Sequence, residues 1–272
     1  MSGGTSQPGQ TVTGRVLSIL AVFEKSLASR SLTDIAEETG IPLSTTHRLL
    51  KELEDWDALQ RDAQGRYQIG IRLWELGQHA GRQVLDIARP LLQDLFSLTQ
   101  ETVHLAIREH TDVLYIDRIY GTRRVPQASR VGGRLPLHAT AVGKVILAFE
   151  EEWLKEAVLA QPLESRTPGT QIDPVALRAE LDTVRDRGFA VTLDEVRMGT
   201  ASIAVPVFQR GDGPVSAALG LVTTSDRFPQ LERHLPALRG IARRMEASIG
   251  AFPLQSLHAE RGARSSLPLS RS

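Results

Sequence analysis

The chain has 272 residues, enough for two domains, and its apolar and charged fractions of 41% and 24% are close to the globular average. It contains no cysteine, which excludes disulfide bonds, thiolate-bound zinc or iron–sulfur sites and a cysteine nucleophile. Lysine plus arginine and aspartate plus glutamate number 32 each, so the net charge is zero and does not itself indicate a polyanionic partner. The sequence predicts no membrane span, no signal peptide and a cytoplasmic address.

Both ends of the chain lack the residues that a core needs. Residues 1–12 are rich in Gly, Ser and Gln, and residues 253–272 mix Arg, Ser and Pro, so we expect two disordered tails. The segment between the tails predicts an α+β protein with two domains. We expect an N-terminal domain over residues 13–70, a linker helix over residues 71–88 and a larger C-terminal domain over residues 89–252.

The N-terminal domain begins with helical periodicity. Apolar residues at spacings of three and four predict a first helix around Val16–Phe23. A second helix is expected from Leu32 to Thr39, between an N-cap at Ser31 or Thr33 and a stop at Gly40.

A third helix and a hairpin follow. The third helix is expected over residues 43–55, and two short strands at 58–61 and 66–69 enclose a polar turn. The apolar seam over residues 71–88 predicts one further helix, which either links the domains or pairs with a second copy of the chain.

Helices and strands alternate irregularly in the C-terminal domain. Alternating apolar residues predict an antiparallel hairpin with strands near residues 103–107 and 114–116. Further strands are expected at residues 189–193, 202–208 and 215–223. Helices are expected at residues 90–100, 139–149, 151–159, 174–187 and 229–250. This mixture is typical of an antiparallel sheet flanked by helices.

The stretch over residues 32–53 has the spacing of a helix-turn-helix. Ala36 is small where the two helices would cross, and Gly40, four positions later, tolerates the tight turn. Arg48 is the best candidate for contact with a base edge, because arginine pairs bidentately with guanine. The alternative is a plain helical hairpin with a solvated polar face. The outer face of the second helix carries hydrogen-bond donors throughout: Ser44, Thr45, His47, Arg48 and Lys51.

The hairpin after the third helix completes a winged helix-turn-helix. Arg61 and Arg66 flank its turn, where we expect them to touch phosphate or the minor groove; the alternative for each is a solvated surface arginine. Residues 1–80 contain eight Lys/Arg and ten Asp/Glu, so this region is acidic by two charges. Affinity for DNA must therefore come from a local surface.

With these features in view, the chain resembles the IclR family of bacterial transcriptional regulators over about residues 13–252. Three blocks carry the resemblance: IPLSTTHRLL at 41–50, LPLHATAVGK at 135–144, and GFA at 188–190 followed by IAVPV at 203–207. The resemblance implies a GAF-like effector-binding domain, dimers or tetramers, and repression or activation near catabolic operons.

The second block also suggests a ligand site. Small residues in the first turn of a helix leave backbone N–H groups accessible, and such a helix start favours a carboxylate. We therefore expect a small organic or aromatic acid at Ala141, with its apolar part against Leu135 and Val142. The alternative is that these small residues serve close helix–sheet packing. The resemblance implies further cavity wall at four positions: Thr192, Asp194, Thr200 and Ser202. Asp194 is alternatively a turn residue.

Three other polar residues have more than one interpretation. Lys144 either meets the ligand or holds a nearby carboxylate. His104 and His138 lack the close spacing of metal ligands, so we expect structural histidines and neither a metal nor another cofactor.

The sequence thus predicts a ligand-controlled DNA-binding regulator and not an enzyme. It contains no G-x-S-x-G, H-E-x-x-H or glycine-rich phosphate motif. The expected partners are a pseudo-palindromic operator, a small carboxylic acid and further copies of the chain, as a homodimer or dimer of dimers. The alternatives are a sensor or scaffold that does not bind DNA, which the acidic balance of residues 1–80 favours, and an enzyme built on the C-terminal domain.

Overall fold

The computed structural model contains two compact units that meet in sequence at residues 82 and 83. It describes residues 11–24, 28–79, 82–121, 125, 130–209 and 214–249. The expected tail over residues 253–272 lies outside the described residues. Most of the expected tail over residues 1–12 also lies outside the described residues, but its last two residues were assigned wrongly, because Thr11 caps the first helix and accepts a hydrogen bond from the Gly14 amide at 3.0 Å.

The N-terminal unit has the predicted order of three helices, a hairpin and a further helix. Its elements are α1 (Val12–Ala21), α2 (Leu32–Thr39), α3 (Leu43–Asp55), β1 (Leu59–Arg61), β2 (Tyr67–Ile69) and α4 (Ile71–His79). The predicted bounds of α2 and α3 are confirmed at both ends.

Local chemistry fixes the ends of α2. Ser31 and Asp34 form a reciprocal capping box, in which each side chain accepts a hydrogen bond from the other residue's backbone amide. Gly40 ends the helix in the left-handed region with φ of +67°. The sharp turn that follows sets α3 across α2, and the fully buried Ile35 and Leu49 join the core between them.

The C-terminal unit is built on one six-stranded sheet. Its elements are α5 (Arg82–Thr99), β3 (Thr102–Glu109), β4 (Asp112–Ile119), β5 (Arg134–Pro136), α6 (Ala141–Phe149), α7 (Glu152–Leu159), α8 (Pro174–Arg187), β6 (Ala190–Leu193), β7 (Thr200–Phe208), β8 (Val215–Thr224) and α9 (Leu235–Ile249). The strand order is β5-β4-β3-β8-β7-β6, and every neighbouring pair is antiparallel. The predicted antiparallel α+β architecture is therefore confirmed.

The two faces of the sheet carry different side chains. One face presents large aliphatic residues of β3, β7 and β8 to α5 and α9. The face toward α6 presents small residues instead, including Ala106, Ala204, Ala218 and Gly220. A Cβ on Gly220 would lie 2.9 Å from a methyl carbon of Val142. The missing side chain therefore lets α6 approach the sheet closely.

Two predicted helix boundaries are wrong. A break was expected at Pro90, but α5 continues through it to Thr99. The missing N–H of proline removes one backbone bond, and the buried Leu91, Leu92 and Leu95 hold the rest of the helix on the sheet. The last helix begins at Leu235 rather than 229, because residues 225–234 form a 3-10 segment.

Two further differences concern a linker and an edge strand. The helix expected over residues 71–88 is represented by α4, which ends at His79, and by the start of α5 at Arg82; residues 80 and 81 lie outside the described part of the chain. Strand β5 was missed, because three residues pairing with β4 leave no periodic signal.

Candidate functional site

The outer face of α3 is open to solvent. Ser44, His47, Arg48 and Lys51 are exposed and Thr45 is half-buried. The neighbouring Thr46 points inward, where its hydroxyl lies 3.2 Å from the carbonyl oxygens of Ile41 and Pro42. This inward hydroxyl anchors the start of α3 and leaves the donor face available to a partner.

Arg48 is held along the helix by a carboxylate one turn later. Its guanidinium donates to Glu52 at 2.6 Å, and both side chains are more than half exposed. Such an exposed i,i+4 pair contributes only about 0.3–0.5 kcal/mol. A phosphate or a guanine edge can therefore replace Glu52 at little cost.

The two wing arginines are also engaged. Arg61 lies 3.2 Å from the Glu54 carboxylate and donates to the Tyr67 hydroxyl at 2.6 Å. Arg66 lies 3.3 Å from Asp34 of α2, which fastens the wing to the helix-turn-helix. Both arginines remain substantially exposed beside the hairpin turn.

A small cavity lies between the sheet and the start of α6 in the C-terminal unit. The centre of a water-sized molecule can occupy about 40 Å³ of this cavity, so a small ligand can enter it. Residues from all six strands of the sheet and from α6 surround it. The lining residues are His104, Tyr115, Arg118, Val125, Leu135, Thr140, Ala141, Val142, Thr192, Glu195, Val196, Thr200, Ser202, Ile203, Gly220, Leu221 and Val222.

Six of the seven predicted effector-site residues line this cavity: Leu135, Ala141, Val142, Thr192, Thr200 and Ser202. The seventh, Asp194, does not. It adopts φ of +57°, and its carboxylate accepts hydrogen bonds from the amides of Gly199 at 2.6 Å and Thr200 at 3.0 Å. Asp194 is thus the turn residue of the alternative interpretation and shapes the loop between β6 and β7.

The first turn of α6 combines cavity wall and close packing. Thr140 caps the helix by accepting from the Gly143 amide at 2.9 Å. A Cβ on Gly143 would lie 2.2 Å from the Leu137 carbonyl oxygen, so this glycine serves close packing. Ala141 and Val142 precede it on the cavity side, where the positive end of the helix favours an anion.

Lys144 is completely buried beside two carboxylates. Its ammonium nitrogen lies 2.6 Å from Glu195 and 2.7 Å from Glu180 of α8. Glu195 lines the cavity, whereas Lys144 does not. Of the two interpretations of Lys144, the structure therefore supports pairing with nearby carboxylates rather than contact with the ligand. Burial raises the pKa of Glu195, although Lys144 acts to lower it.

The cavity wall on β3 and β4 is polar and was largely missed from the sequence. His104 and Arg118 are direct cross-strand neighbours on these two strands. The His104 ring packs edge-on against Tyr115 with 5.2 Å between ring centroids. Burial, with a smaller contribution from Arg118, lowers the pKa of His104 to about 3, so its imidazole is neutral at physiological pH.

Two further tests concern metals and membranes. His138 has a structural partner, because its Nε2 lies 3.0 Å from the Glu164 carbonyl oxygen. The described residues contain no group of three His, Cys, Asp or Glu side chains that could hold a metal ion. Among the same residues, no helix is long and apolar enough to cross a membrane.

Comparison with known protein families decides what kind of protein carries these two sites. The model of the IclR helix-turn-helix domain matches residues 12–63, and the model of the bacterial transcriptional regulator IclR C-terminal domain matches residues 79–248. The chain belongs to the IclR family of bacterial transcriptional regulators. The winged helix-turn-helix and the effector-binding fold expected from the sequence are thereby confirmed.

Individual relatives agree with this assignment. The IclR-family chain is 34% identical to the HTH-type transcriptional repressor AllR of Escherichia coli over 229 residues, covering 83% of this chain and 84% of AllR. It is 36% identical to the HTH-type transcriptional regulator XynR of the same organism over 227 residues, covering 80% of this chain and 88% of XynR.

Solved structures of the family have the same fold. An IclR homologue from Microbacterium hydrocarbonoxydans, crystallised with 4-hydroxybenzoate, has a TM-score of 0.82 and 31% identity, covering 88% of this chain and 99% of the homologue. The Thermotoga maritima IclR has a TM-score of 0.71 and 30% identity, with coverage of 88% and 98%.

Proposed function

We propose that this IclR-family regulator binds operator DNA through α3 and the β1–β2 wing, and that a small organic or aromatic acid in the C-terminal cavity controls that binding. The observation that carries the proposal is the cavity itself. It is small and enclosed on one side by the first turn of α6 and on the other by hydroxyl-bearing strands. The same chain presents a donor-rich recognition face on α3.

The DNA half of the proposal rests on exposed donors. We infer that Arg48 contacts a base edge, and that Ser44, Thr45, His47 and Lys51 support it from the same face of α3. Arg61 and Arg66 on the wing contact the backbone. Because the proposed partner is bacterial operator DNA, the proposed place of action is the cytoplasm.

A homodimer or dimer of dimers would place recognition helices in successive major grooves and predicts a pseudo-palindromic operator. Helix α4 offers apolar side chains for such contacts, because Ile71, Trp74 and Leu76 are each more than half exposed. Exposed apolar side chains of this size on one helix favour pairing with a second copy.

The ligand half rests on the chemistry of the cavity wall. The start of α6 favours an anion, Leu135 and Val142 supply apolar contact, and Thr192 and Ser202 supply hydroxyl groups. A homologue crystallised with 4-hydroxybenzoate supports an aromatic acid as the first candidate. The ligand shifts DNA affinity only as far as it prefers one conformational state of the protein over another. No catalytic role is proposed for the cavity.

A gel-shift titration on the chain's own upstream DNA tests the proposal directly. We expect a sequence-specific shift at moderate salt, and a change in its midpoint when 4-hydroxybenzoate or another small acid from a melting-temperature screen is added. The absence of any specific shift, with and without acids, would overturn DNA control and favour a sensor or scaffold. A shift that no acid alters would overturn only the ligand class.

A further inference from the structure

Neighbouring strands bring two nitrogen-bearing side chains to one end of the cavity. His104 on β3 and Arg118 on β4 are directly opposite each other in the strand register, and both line the cavity. On the other side of β3, His104 lies opposite Gly220 of β8, which has no side chain to cover the ring. The two nitrogen groups therefore stand side by side on the cavity wall.

The imidazole of His104 lacks a hydrogen-bond partner at one nitrogen. The residue is 5% exposed, and its Nε2 has no partner in the part of the chain that the structure describes. Buried polar groups in native proteins are almost always hydrogen-bonded. A molecule inside the cavity is therefore the natural partner for this nitrogen.

The two ends of the cavity carry opposite charges. Arg118 supplies a cation at the β3–β4 end, where its guanidinium lies 5.0 Å from the centre of the Tyr120 ring. Glu195 supplies a carboxylate on the side of the β6–β7 loop. An acid is attracted to the Arg118 end and repelled from the Glu195 end. The start of α6, with its positive dipole end, also lines the cavity.

We propose that His104 and Arg118 form an acid-reading pair, in which the Arg118 guanidinium binds the ligand's carboxylate and the Nε2–H of His104 donates to the same group. The inference rests on the proposed function, in which the cavity binds a small acid. It adds that the pair selects a carboxylate over the corresponding neutral amide. Arginine binds a planar carboxylate bidentately, and a neutral imidazole adds a directed donor without adding charge.

Isothermal titration of the full chain with 4-hydroxybenzoate and with 4-hydroxybenzamide tests the pair. We expect the wild type to prefer the acid by at least about tenfold, the discrimination typical of one charge-assisted contact. Arg118→Gln should lose this preference, and Arg118→Lys should recover part of it, since a lysine keeps the charge but not the bidentate geometry. His104→Leu should weaken binding of the acid by about tenfold, and His104→Gln by less, because its amide retains a donor.

The control variant is Arg108→Gln. Arg108 lies on β3, the strand of His104, but it pairs with Glu150 at 2.7 Å and does not line the cavity. The preference for the acid should therefore survive in this variant. Thermal unfolding in the absence of ligand shows which variants fold. If His104→Leu fails to fold, the two Arg118 variants test the inference.

Each remaining outcome has a defined meaning. Wild-type preference for the acid in folded Arg118→Gln would overturn the inference and leave the proposed function intact. Unchanged affinity in folded His104→Leu would overturn the proposed contact between His104 and the carboxylate. A wild type that binds neither 4-hydroxybenzoate nor any other screened acid would overturn the inference together with the proposed ligand class, while DNA binding would still be measured independently.

Discussion

The ammonium nitrogen of Lys144 lies 2.6 Å from the Glu195 carboxylate, and the lysine side chain is only 1% exposed. One end of this buried pair forms cavity wall and the other lies on α6. The arrangement ties the ligand cavity to the helix that borders it. A change in either residue should therefore affect the stability of the whole C-terminal unit.

Replacing Lys144 with methionine should lower the free energy of unfolding by about 3–5 kcal/mol at pH 7, because it leaves the buried Glu195 carboxylate without its cation. Since burial already raises the pKa of Glu195, the loss should shrink as the pH falls and that carboxyl becomes protonated. Urea unfolding monitored by circular dichroism measures both effects. Glu180→Gln is the matched control, and it should cost much less because the Glu180 side chain is 31% exposed. Equal losses in the two variants would contradict this account.

His104 should make stability depend on pH in the absence of ligand. Its pKa is lowered by burial to about 3, from 6.5 in the unfolded chain, so the folded state binds fewer protons between these values. The stability present above pH 6.5 is therefore lost as the pH falls, by about 1.4 kcal/mol per pH unit. His104→Gln should remove this part of the slope. His110→Asn, at an exposed turn with positive φ, should keep it; an unchanged slope in His104→Gln would refute the assignment.

Substitution by alanine should change the stability of the protein in opposite directions at two glycines. Gly143→Ala places a methyl group 2.2 Å from the Leu137 carbonyl oxygen and should destabilise the protein by about 1–3 kcal/mol or more. Gly240→Ala in α9 meets no atom within 4 Å and should stabilise it by about 0.5–1 kcal/mol through helix propensity. Differential scanning calorimetry of the two variants measures the sign of each change in stability. A stable Gly143→Ala variant would mean that α6 need not approach the sheet so closely.

Arg48→Ala should cost about 1–3 kcal/mol in operator binding and relax specificity at one base pair. Gel-shift titration against a set of single-base operator variants measures both. Glu52→Gln is the control, because it frees Arg48 from its 2.6 Å ion pair and should preserve or slightly tighten binding. If Arg48→Ala weakens every DNA sequence to the same extent, Arg48 contacts phosphate rather than a base.

The DNA-binding unit was predictable because its signals are local. The cap before α2, the glycine after it and the apolar spacing of α3 each act within a few residues, and the observed bounds match. The order of the six strands depends on contacts between distant segments, which a single sequence does not encode in its periodicity. The continuation of α5 through Pro90 likewise depends on packing against the sheet, which overrides local propensity.

In the candidate cavity, too, some residues could be predicted from local sequence, whereas others depend on contacts between distant segments. Three of the residues on its wall follow from the helix-start argument and three from the resemblance, but His104 is expected from the sequence only as a structural histidine, and nothing in the sequence singles out Arg118. A signal for His104 was present in the alternation of β3. Val103, Leu105 and Ile107 face one side of the sheet, so His104 had to face the other. The closeness of Arg118 depended on the pairing of β3 with β4.

The Asp194 turn has a thermodynamic consequence. Its carboxylate binds the amides of Gly199 and Thr200, and Thr170 donates to the Glu195 carbonyl oxygen at 2.6 Å, so the rim of the cavity is organised by its own hydrogen bonds. Because the loop is already ordered, ligand binding does not carry the conformational-entropy cost of ordering it, and affinity is not reduced by that cost. Calorimetry should accordingly give a small negative heat-capacity change, set by the apolar surface of the ligand, rather than the large one of folding coupled to binding.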